Sequence, residues 1–398
     1  MYTNTQGLLS KLAELRLRHA SAAWDLIAVT EMWLHCEITD VEIALTGVSV
    51  VRNDRTSKSG GVALYFRNNM QCERINDSET EVPDAIWCNF RLKGNDVGLL
   101  VVVYCPPSST PEMDCNLMAA LSQVIKRKCS HILITGDFNL HALESQATPG
   151  EQFKAELQDL VSDYPLYGHV TTPTRFRGTD SQSILDRIFT NEELMVERVI
   201  TDTPLGRSDH VTLLFHYMCY ADYPKEHTEE YRFVTNYDDL SDLIDATCWS
   251  FLAELTTEVA CREFVNICNK LVASTSETKP YRPKRMKYFV RSRTCKCMAL
   301  RDLAWRTYTA SPNDDSWDVY TTQRNHCVKL VGEDKLKKQQ GLVEKFCYNP
   351  KLLYRHVNNL RRIKRGSPAL HTACGLAQTA QEAANILGQQ FGRTFQSV

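Results

Sequence analysis

The chain has 398 residues, a formal net charge of −2 and 43% hydrophobic residues, which is typical of a folded globular protein with a sizeable core. Its length favours two domains over one. No apolar run reaches the roughly 18 residues of a membrane span, and the first residues lack a signal-peptide pattern. We therefore expect an intracellular protein whose 15 cysteines are reduced thiols.

The first half of the chain alternates strand and helix patterns, beginning with a helix over residues 6–19 whose leucines share one face. Apolar runs predict seven strands, at residues 25–30, 61–67, 85–92, 98–104, 131–135, 183–190 and 211–215. Two more helices are predicted, at 111–127, with Pro111 in its first turn, and at 150–163. Many short strands with few crossover helices predict an α+β sandwich rather than a doubly wound parallel sheet.

After about residue 218 the strand patterns fade, and amphipathic helices are predicted at 239–271 and 377–391. Between them, residues 279–306 hold ten Lys and Arg against one acid, and we call this segment the basic tract. The net charge is −9 over residues 1–218 and +7 over residues 219–398. We therefore divide the chain into one domain over 1–218 and a mostly helical, basic region over 219–398.

Two short polar motifs lie at the ends of predicted strands. Gly136-Asp137-Phe138-Asn139 follows the strand at 131–135, and Ser208-Asp209-His210 precedes the strand at 211–215. Buried strands hold such side chains on a rigid support, where a carboxylate, an amide and an imidazole can direct water or a metal ion at a phosphate. Each motif taken alone is equally typical of a turn or a polar strand start.

Together with others, these motifs form an ordered set that resembles the endonuclease/exonuclease/phosphatase superfamily. In chain order the set is Thr30-Glu31-Met32-Trp33, Tyr104-Cys105-Pro106-Pro107, Gly136-Asp137-Phe138-Asn139, Ser183-Ile184-Leu185-Asp186 and Ser208-Asp209-His210. It is most similar to the apurinic-type endonuclease domain of non-LTR (LINE-like) retrotransposons, because of Tyr2-Thr3-Asn4 and Ile188-Phe189-Thr190-Asn191. The resemblance covers about residues 1–218 and implies a four-layer α/β sandwich of the deoxyribonuclease I type.

The resemblance implies a magnesium-dependent hydrolase that cuts DNA phosphodiester bonds, nicking a target site for retrotransposition. Mg²⁺, with Mn²⁺ as the alternative ion, would be held by or lie near Glu31, Asn4 and Asp209. His210 would be the general base, and Asp186 would orient its ring. The groups that would align the nucleophile and contact the phosphate are Asp137, Asn139 and Tyr104. The expected partners are DNA and element RNA, with no membrane and no small-molecule cofactor.

Two features depart from the retroelement pattern. Met1 replaces the strand that normally runs into Tyr2-Thr3-Asn4, so we expect a shortened first strand, lost sheet hydrogen bonds and a misplaced Asn4. Cys105 stands where the family usually has an arginine. Two alternatives stay open: a phosphatase or phosphodiesterase acting on phospholipids or phosphoinositides, which Leu185-Asp186-Arg187-Ile188 resembles, and an inactive retroelement remnant.

The second half resembles the connector that precedes the reverse transcriptase in these elements, at residues 301–308 and 349–362. No polymerase signature is found, since Asp314-Asp315 is predicted to lie in a polar loop, so we expect the reverse transcriptase to be absent. The basic tract predicts nucleic-acid binding by charge and stacking, with a solvated surface as an equal alternative. Its candidate contacts are Lys284, Arg285, Lys287 and Arg291, and its candidate stacking residues are Tyr281, Tyr288, Phe289 and Trp305. Residues 284–287 also fit a nuclear-localisation pattern.

Overall fold

The computed structural model describes residues 1–55, 59–76, 82–93, 96–127, 129–140, 149–178, 182–219, 231–280, 291–361, 371–372, 375–376, 385 and 387–388. Backbone contacts divide the chain into two compact units. Unit 1 comprises Met1–Asn68, Cys72–Tyr220 and Tyr288–Val398, and unit 2 comprises Asn69–Gln71 and Ala221–Lys287. None of the described helices is both long enough and apolar enough to cross a membrane.

Unit 1 is built on two mixed sheets of six strands each. The strands of the first sheet are β1 (Tyr2–Asn4), β2 (Leu26–Thr30), β3 (Val48–Asn53), β4 (Val62–Arg67), β11 (Val196–Asp202) and β12 (Thr212–Tyr217). Those of the second are β5 (Cys72–Arg74), β6 (Ala85–Arg91), β7 (Val97–Tyr104), β8 (His131–Asp137), β9 (Tyr167–Gly168) and β10 (Asp186–Thr190). The strand orders are β11-β12-β1-β2-β4-β3 and β5-β6-β7-β8-β10-β9.

The described part of the chain contains nine α-helices, four in its first half and five in its second. They are α1 (Leu8–Ala22), α2 (Asp40–Ile43), α3 (Pro111–Ile125), α4 (Pro149–Asp163), α5 (Tyr237–Ala246), α6 (Thr257–Ser274), α7 (Ser292–Ala310), α8 (Asp314–Tyr348) and α9 (Pro350–Arg361). Helix α3 begins as predicted, because Pro111 lies in its first turn and the Thr110 hydroxyl accepts a hydrogen bond from Met113 N–H.

The two sheets pack face to face, with β2 and β4 against β7 and β8. On the outer face of the first sheet, Leu8 and Leu12 of α1 pack with Ile27 and Val29 of β2. On the outer face of the second sheet, α3 and α4 pack apolar side chains on β7 and β8. Helix, sheet, sheet and helix thus form four layers, which confirms the predicted deoxyribonuclease I-like sandwich.

The short strand β1 is paired on both of its sides. Tyr2 lies opposite Ala28 in a parallel ladder and opposite Leu213 in an antiparallel one. The Met1 amine also donates to Leu26 O at 3.0 Å. The loss of sheet hydrogen bonds expected for a shortened first strand is therefore not observed, and Asn4 pairs in register with Thr30.

All the predicted strands of the first half are present, but strands β3, β5, β9 and β11 were missed. Several predictions for the second half were wrong. The helix expected over 239–271 is interrupted by an extended Thr247 and a 3₁₀ turn at Ser250–Glu254. Asp314-Asp315 lies in the first turn of α8, where Asn313 caps the helix through Ser316 N–H, and not in a loop. The helix expected at 377–391 lies mostly outside the described residues.

Unit 2 combines helices α5 and α6 with two strands that the sequence did not predict, β13 (Tyr231–Thr235) and β14 (Ser276–Pro280). These strands pair antiparallel, from Tyr231 opposite Pro280 to Thr235 opposite Ser276. A last short pair, β15 (His371–Thr372) and β16 (Gly375–Leu376), belongs to unit 1.

Helices α7 and α8 form an antiparallel pair within unit 1, which we call the helical hairpin. Only three residues connect the two helices. Helix α8 packs on α1, so the hairpin lies against the four-layer sandwich. Its core contains Cys297, Cys327 and Leu330, and all cysteines in the described part of the chain are free thiols.

Candidate active site

Six strand ends bring polar side chains together at one edge of the sandwich. Asn4 ends β1, and Glu31 directly follows β2. In the second sheet, Tyr104 lies opposite Asp137, and Asp137 lies opposite Asp186, so the ladders themselves fix their spacing. His210 lies just before β12 and forms an isolated bridge with Arg175. These are the strand ends at which the sequence motifs predicted a site.

Glu31, Asp137 and His210 form a group that could hold a metal ion, because one ligand atom of each lies within 4.8 Å of the others. The amide nitrogen of Asn4 lies between the two carboxylates and donates to Glu31 Oε1 and to Asp137 Oδ2, each at 2.8 Å. Burial, together with Asp186, raises the pKa of Asp137 to about 7. A divalent cation would relieve this concentration of negative charge, so the donor set fits one.

His210 and Asp186 form a buried pair behind this group. His210 Nδ1 lies 2.8 Å from Asp186 Oδ2, which directs Nε2 toward Asp137 Oδ2 at 3.9 Å. Burial alone would lower the pKa of His210, but the nearby carboxylates, Asp186 first, outweigh it and raise the pKa to about 9. The imidazole is thus held in one orientation and is charged at neutral pH before any cation binds.

Asn4 and Asp209, which were also predicted to hold or approach the metal, lie beside the group. Their side-chain oxygens already accept hydrogen bonds from other residues. Asn4 Oδ1 accepts the Gln6 N–H at 3.1 Å, so the amide oxygen is turned away from the carboxylates. Asp209 Oδ1 accepts from Gln6 Nε2 at 2.5 Å, and Oδ2 accepts from Arg175 and Arg177 at 3.1 and 2.6 Å. Metal ligation by Asn4 or Asp209 stays a prediction that would require these bonds to rearrange.

Tyr104 and Asn139 each contact one carboxylate of the group. Burial raises the pKa of Tyr104, and Glu31, which shares a hydrogen bond with its hydroxyl, raises it further. Asn139 has φ 47°, and its backbone N–H donates to Asp137 Oδ1 at 3.0 Å while its side chain donates to Cys105 O at 2.6 Å. Asn139 therefore restrains the Asp137 carboxylate, and phosphate contacts by Tyr104 and Asn139 stay predictions.

Three positioning residues were not singled out by the sequence. The buried Tyr2 hydroxyl donates to Asp186 Oδ1 at 2.7 Å. Thr174 Oγ1 accepts the backbone N–H of Asp186 at 3.1 Å. Ser208 Oγ donates to Asn4 O at 2.7 Å and accepts the His210 N–H at 3.2 Å. Tyr2 and Ser208 lie inside motifs that were recognised, but only the three-dimensional contacts assign them a role.

The backbone that carries Glu31 is strained. Glu31 and Trp33 have φ values of 50° and 54°, in the left-handed region that disfavours residues with a side chain. The Trp33 indole donates to Glu31 Oε2 at 3.2 Å, and the Trp33 backbone N–H donates to Gly60 O at 3.0 Å. Strain of this kind persists only where surrounding contacts enforce it. Here the Trp33 contacts enforce it, and they fix the direction of the Glu31 carboxylate.

The basic tract does not behave uniformly as a nucleic-acid surface. Arg301 and Trp305 are only 1% and 2% exposed, so the prediction that Trp305 stacks on bases is wrong, and Arg301 adds no charge to the surface of the tract. Arg291 is partly exposed, and its Nε lies 3.6 Å from Asp334 Oδ1. The remaining candidates lie outside the described residues: Lys284, Arg285, Lys287, Tyr281, Tyr288 and Phe289.

Residues 1–210 match the sequence model of the Endonuclease/Exonuclease/phosphatase family, which is more than half of the chain and includes every residue of the site. The chain belongs to this family. Members of the family are hydrolases that act as nucleases or phosphatases, and Glu31, Asp137 and His210 form a group that could hold a metal ion.

Several solved structures are similar over the family region. The endonuclease domain of TRAS1, a telomere-specific non-LTR retrotransposon, is 19% identical, with 54% of this chain and 96% of that chain covered and a TM-score of 0.41. The Xenopus laevis APE2 catalytic domain is 16% identical, with 56% of this chain and 93% of that chain covered and a TM-score of 0.45. The 3'-5' exonuclease NExo of Neisseria meningitidis is 16% identical, with 54% of this chain and 98% of that chain covered and a TM-score of 0.42. No curated protein matches the chain in sequence.

Proposed function

We propose that this chain is a magnesium-dependent endonuclease that hydrolyses phosphodiester bonds of DNA. The observation that carries the proposal is the convergence of Glu31, Asp137 and His210, with Asp186 fixed behind the imidazole at 2.8 Å. The carboxylates of Glu31 and Asp137 offer a cation site, and His210 Nε2 acts as the positioned proton acceptor beside it rather than as a ligand. Water attack on a phosphodiester requires these two elements.

Each residue has a defined part in the proposed hydrolysis. A bound Mg²⁺ would supply positive charge for the oxygens of the phosphate. Glu31 and Asp137 provide the carboxylates for the ion, and Asn4 keeps the two apart by donating to both. His210 Nε2 takes the proton of the attacking water, and the Asp186 carboxylate stabilises the imidazolium that forms.

The raised pKa of His210 has a consequence for rate. The neutral base is a minority form at pH 7 when the pKa is about 9, so hydrolysis should accelerate as the pH rises toward that value. A divalent cation held by Glu31 and Asp137 would add positive charge and lower the pKa of His210, and the rise in rate would then occur at lower pH.

The choice of DNA and of a retroelement origin rests on the ordered motifs and not on the cation site, which a phosphatase of the family would also need. Arginines at the rim of the site, Arg175 and Arg177, further support a polyanionic substrate. The division into a nuclease over 1–218 and a connector to a reverse transcriptase over 219–398 is part of the same proposal.

The experiment is a nicking assay of the full chain on supercoiled plasmid. We expect nicked circles with Mg²⁺ or Mn²⁺ and none in excess chelator, and loss of nicking in His210→Ala. A parallel assay would offer soluble phosphoinositides and sphingomyelin as substrates. Release of phosphate or phosphocholine without any nicking would replace the endonuclease assignment with a lipid phosphatase or phosphodiesterase.

A further inference from the structure

A short segment, Thr174–Gly178, joins the two halves of the catalytic histidine–aspartate pair, and we call it the arginine loop. Thr174 O accepts the Val211 N–H at 2.8 Å, and the Phe176 N–H donates to Asp209 O at 2.8 Å. The other side of the segment pairs with Ser183, three residues before Asp186. A displacement of the arginine loop would therefore move the backbone on either side of His210 and the backbone that leads to Asp186.

Two guanidinium groups of this loop reach the site. Arg175 Nε and Arg177 Nε both donate to Asp209 Oδ2, at 3.1 and 2.6 Å. Asp209 Oδ1 in turn lies 3.6 Å from His210 Nε2. The side chain of Arg175 is 20% exposed and that of Arg177 is 59% exposed, so the latter offers guanidinium N–H groups to solvent next to the reacting centre. Such a fork suits the oxygens of a phosphate group.

The helical hairpin grips this loop through a cluster of aromatic side chains. The Tyr308 hydroxyl donates to Gly178 O at 2.6 Å, and it also shares a hydrogen bond with the Gln182 side chain. The Phe176 ring packs edge-on against Trp305, with centroids 5.0 Å apart. Gly178 has φ +63° and lies against the Trp317 indole. Gly178 and Gln182 are therefore both held by one tyrosine of the hairpin.

A buried ion pair fixes the hairpin itself to the sandwich. Arg301 Nη1 lies 2.5 Å from Glu14 Oε1, and both side chains are almost fully buried. Glu14 also accepts from Arg18 at 2.7 Å and from the Gly206 N–H at 3.1 Å. Burial would raise the pKa of Glu14, but Arg18 and Arg301 reverse this and lower it, so the carboxylate is charged. Gly206 lies in the turn that leads to His210, which gives the hairpin a second connection to the site.

We propose that the helical hairpin contributes to the active site. The hairpin holds Arg175 and Arg177 on Asp209, where the two arginines form a binding subsite for a phosphate of the substrate. Tyr308 is the positioning residue, because it touches the loop and not the reacting atoms. The phosphate-binding part of this inference rests on the proposed function, whereas the holding of the loop does not. The second half of the chain would then contribute to hydrolysis as well as linking domains.

A matched pair of variants tests whether Tyr308 holds the loop. Tyr308→Phe removes the hydrogen bond to Gly178, whereas Tyr320→Phe removes a hydroxyl of the same buried cluster that has no hydrogen-bond partner among the described residues. In hydrogen exchange on the full chain, we expect amides of 174–178 to exchange about 2- to 10-fold faster in Tyr308→Phe, the effect of one hydrogen bond. Exchange unchanged from the parent in both variants would overturn the inference.

A double-mutant cycle with Arg177→Ala tests whether the loop acts in hydrolysis. We expect Arg177→Ala to raise KM for plasmid DNA more than it lowers kcat, since it removes a binding group. If Tyr308 works by positioning Arg177, adding Tyr308→Phe to Arg177→Ala should cost much less than it costs in the parent. Tyr320→Phe should combine additively. Fully additive losses for Tyr308→Phe would overturn the positioning role.

The two proposals fail in distinguishable ways. A parent protein that nicks no DNA with any divalent cation would contradict the proposed function, and hydrogen exchange would still decide whether the hairpin holds the loop. Normal nicking with equal exchange in the two tyrosine variants would contradict only the hairpin inference.

Discussion

The pairing of His210 with Asp186 predicts a stability that depends on pH in a specific way. In the folded, metal-free chain the pKa of His210 is raised to about 9 from an ordinary value of 6.5. A raised histidine pKa stabilises the fold fully below the unfolded-state value, and this contribution is lost as the pH rises through 9. At about 1.4 kcal/mol per pKa unit, the difference corresponds to about 3 kcal/mol.

The perturbation that isolates this effect is His210→Gln, which keeps a polar side chain but cannot titrate. Urea unfolding of parent and variant in chelator, from pH 6 to pH 10, should show the parent's advantage shrinking by about 3 kcal/mol. Groups away from the site are common to both proteins and cancel. His210 lowers the pKa of Asp137 and of Asp209, so both titrate at higher pH in the variant, and about 3 kcal/mol is the upper limit of the difference. His169→Gln is the matched control, because burial lowers the pKa of His169 and the difference should be flat above pH 7. A flat difference for His210→Gln would refute the charged His210–Asp186 pair.

Three further predictions concern catalysis, the metal and nucleic acid. His210→Ala should reduce the nicking rate by about 10²–10⁴, and Asp186→Asn by less because the ring remains; equal, unreduced rates would contradict the base assignment. Divalent-cation affinity, measured by calorimetry, should rise from pH 6 to pH 8 with proton release, because the pKa of Asp137 is about 7; a pH-independent affinity would argue against Asp137 as a ligand. If the basic tract binds duplex DNA, replacing four of its residues with Ser should flatten the slope of log K against log salt by roughly 0.9 per lost contact. The four residues are Lys284, Arg285, Lys287 and Arg291, and an unchanged slope would exclude them as DNA contacts.

The strand ends of the active site could be predicted from the sequence because local signals define them. An apolar run that stops at Glu31 or at Asp137 marks both a buried strand and the polar residue at its rim, and pairing in register then brings these residues together. Strands β3 and β11 were missed because most of their side chains are partly or fully exposed, so their sequences lack the unbroken apolar run that identifies a core strand. Strands β5 and β9 were missed because they are only three and two residues long.

The helical hairpin could not be predicted, for a physical reason. Its decisive contacts join residues far apart in the chain, Arg301 to Glu14 and Tyr308 to Gly178, and such pairs leave no local periodicity. Arg301 moreover reads as surface charge in a sequence, because an arginine is rarely buried unless a partner pays its desolvation. The same limit applies to Asn4, whose amide orientation depends on Gln6 and two distant carboxylates.

The central claim is that Glu31, Asp137 and His210 form a cation-dependent site for phosphodiester hydrolysis. The most direct measurement is plasmid nicking by the full parent chain and by Glu31→Gln, each with Mg²⁺ and with excess chelator. We predict nicking by the parent with Mg²⁺ only, and almost none by Glu31→Gln, whose circular dichroism and unfolding transition should match those of the parent. Parent activity that persists in chelator, or a Glu31→Gln variant that nicks as fast as the parent, would contradict the account.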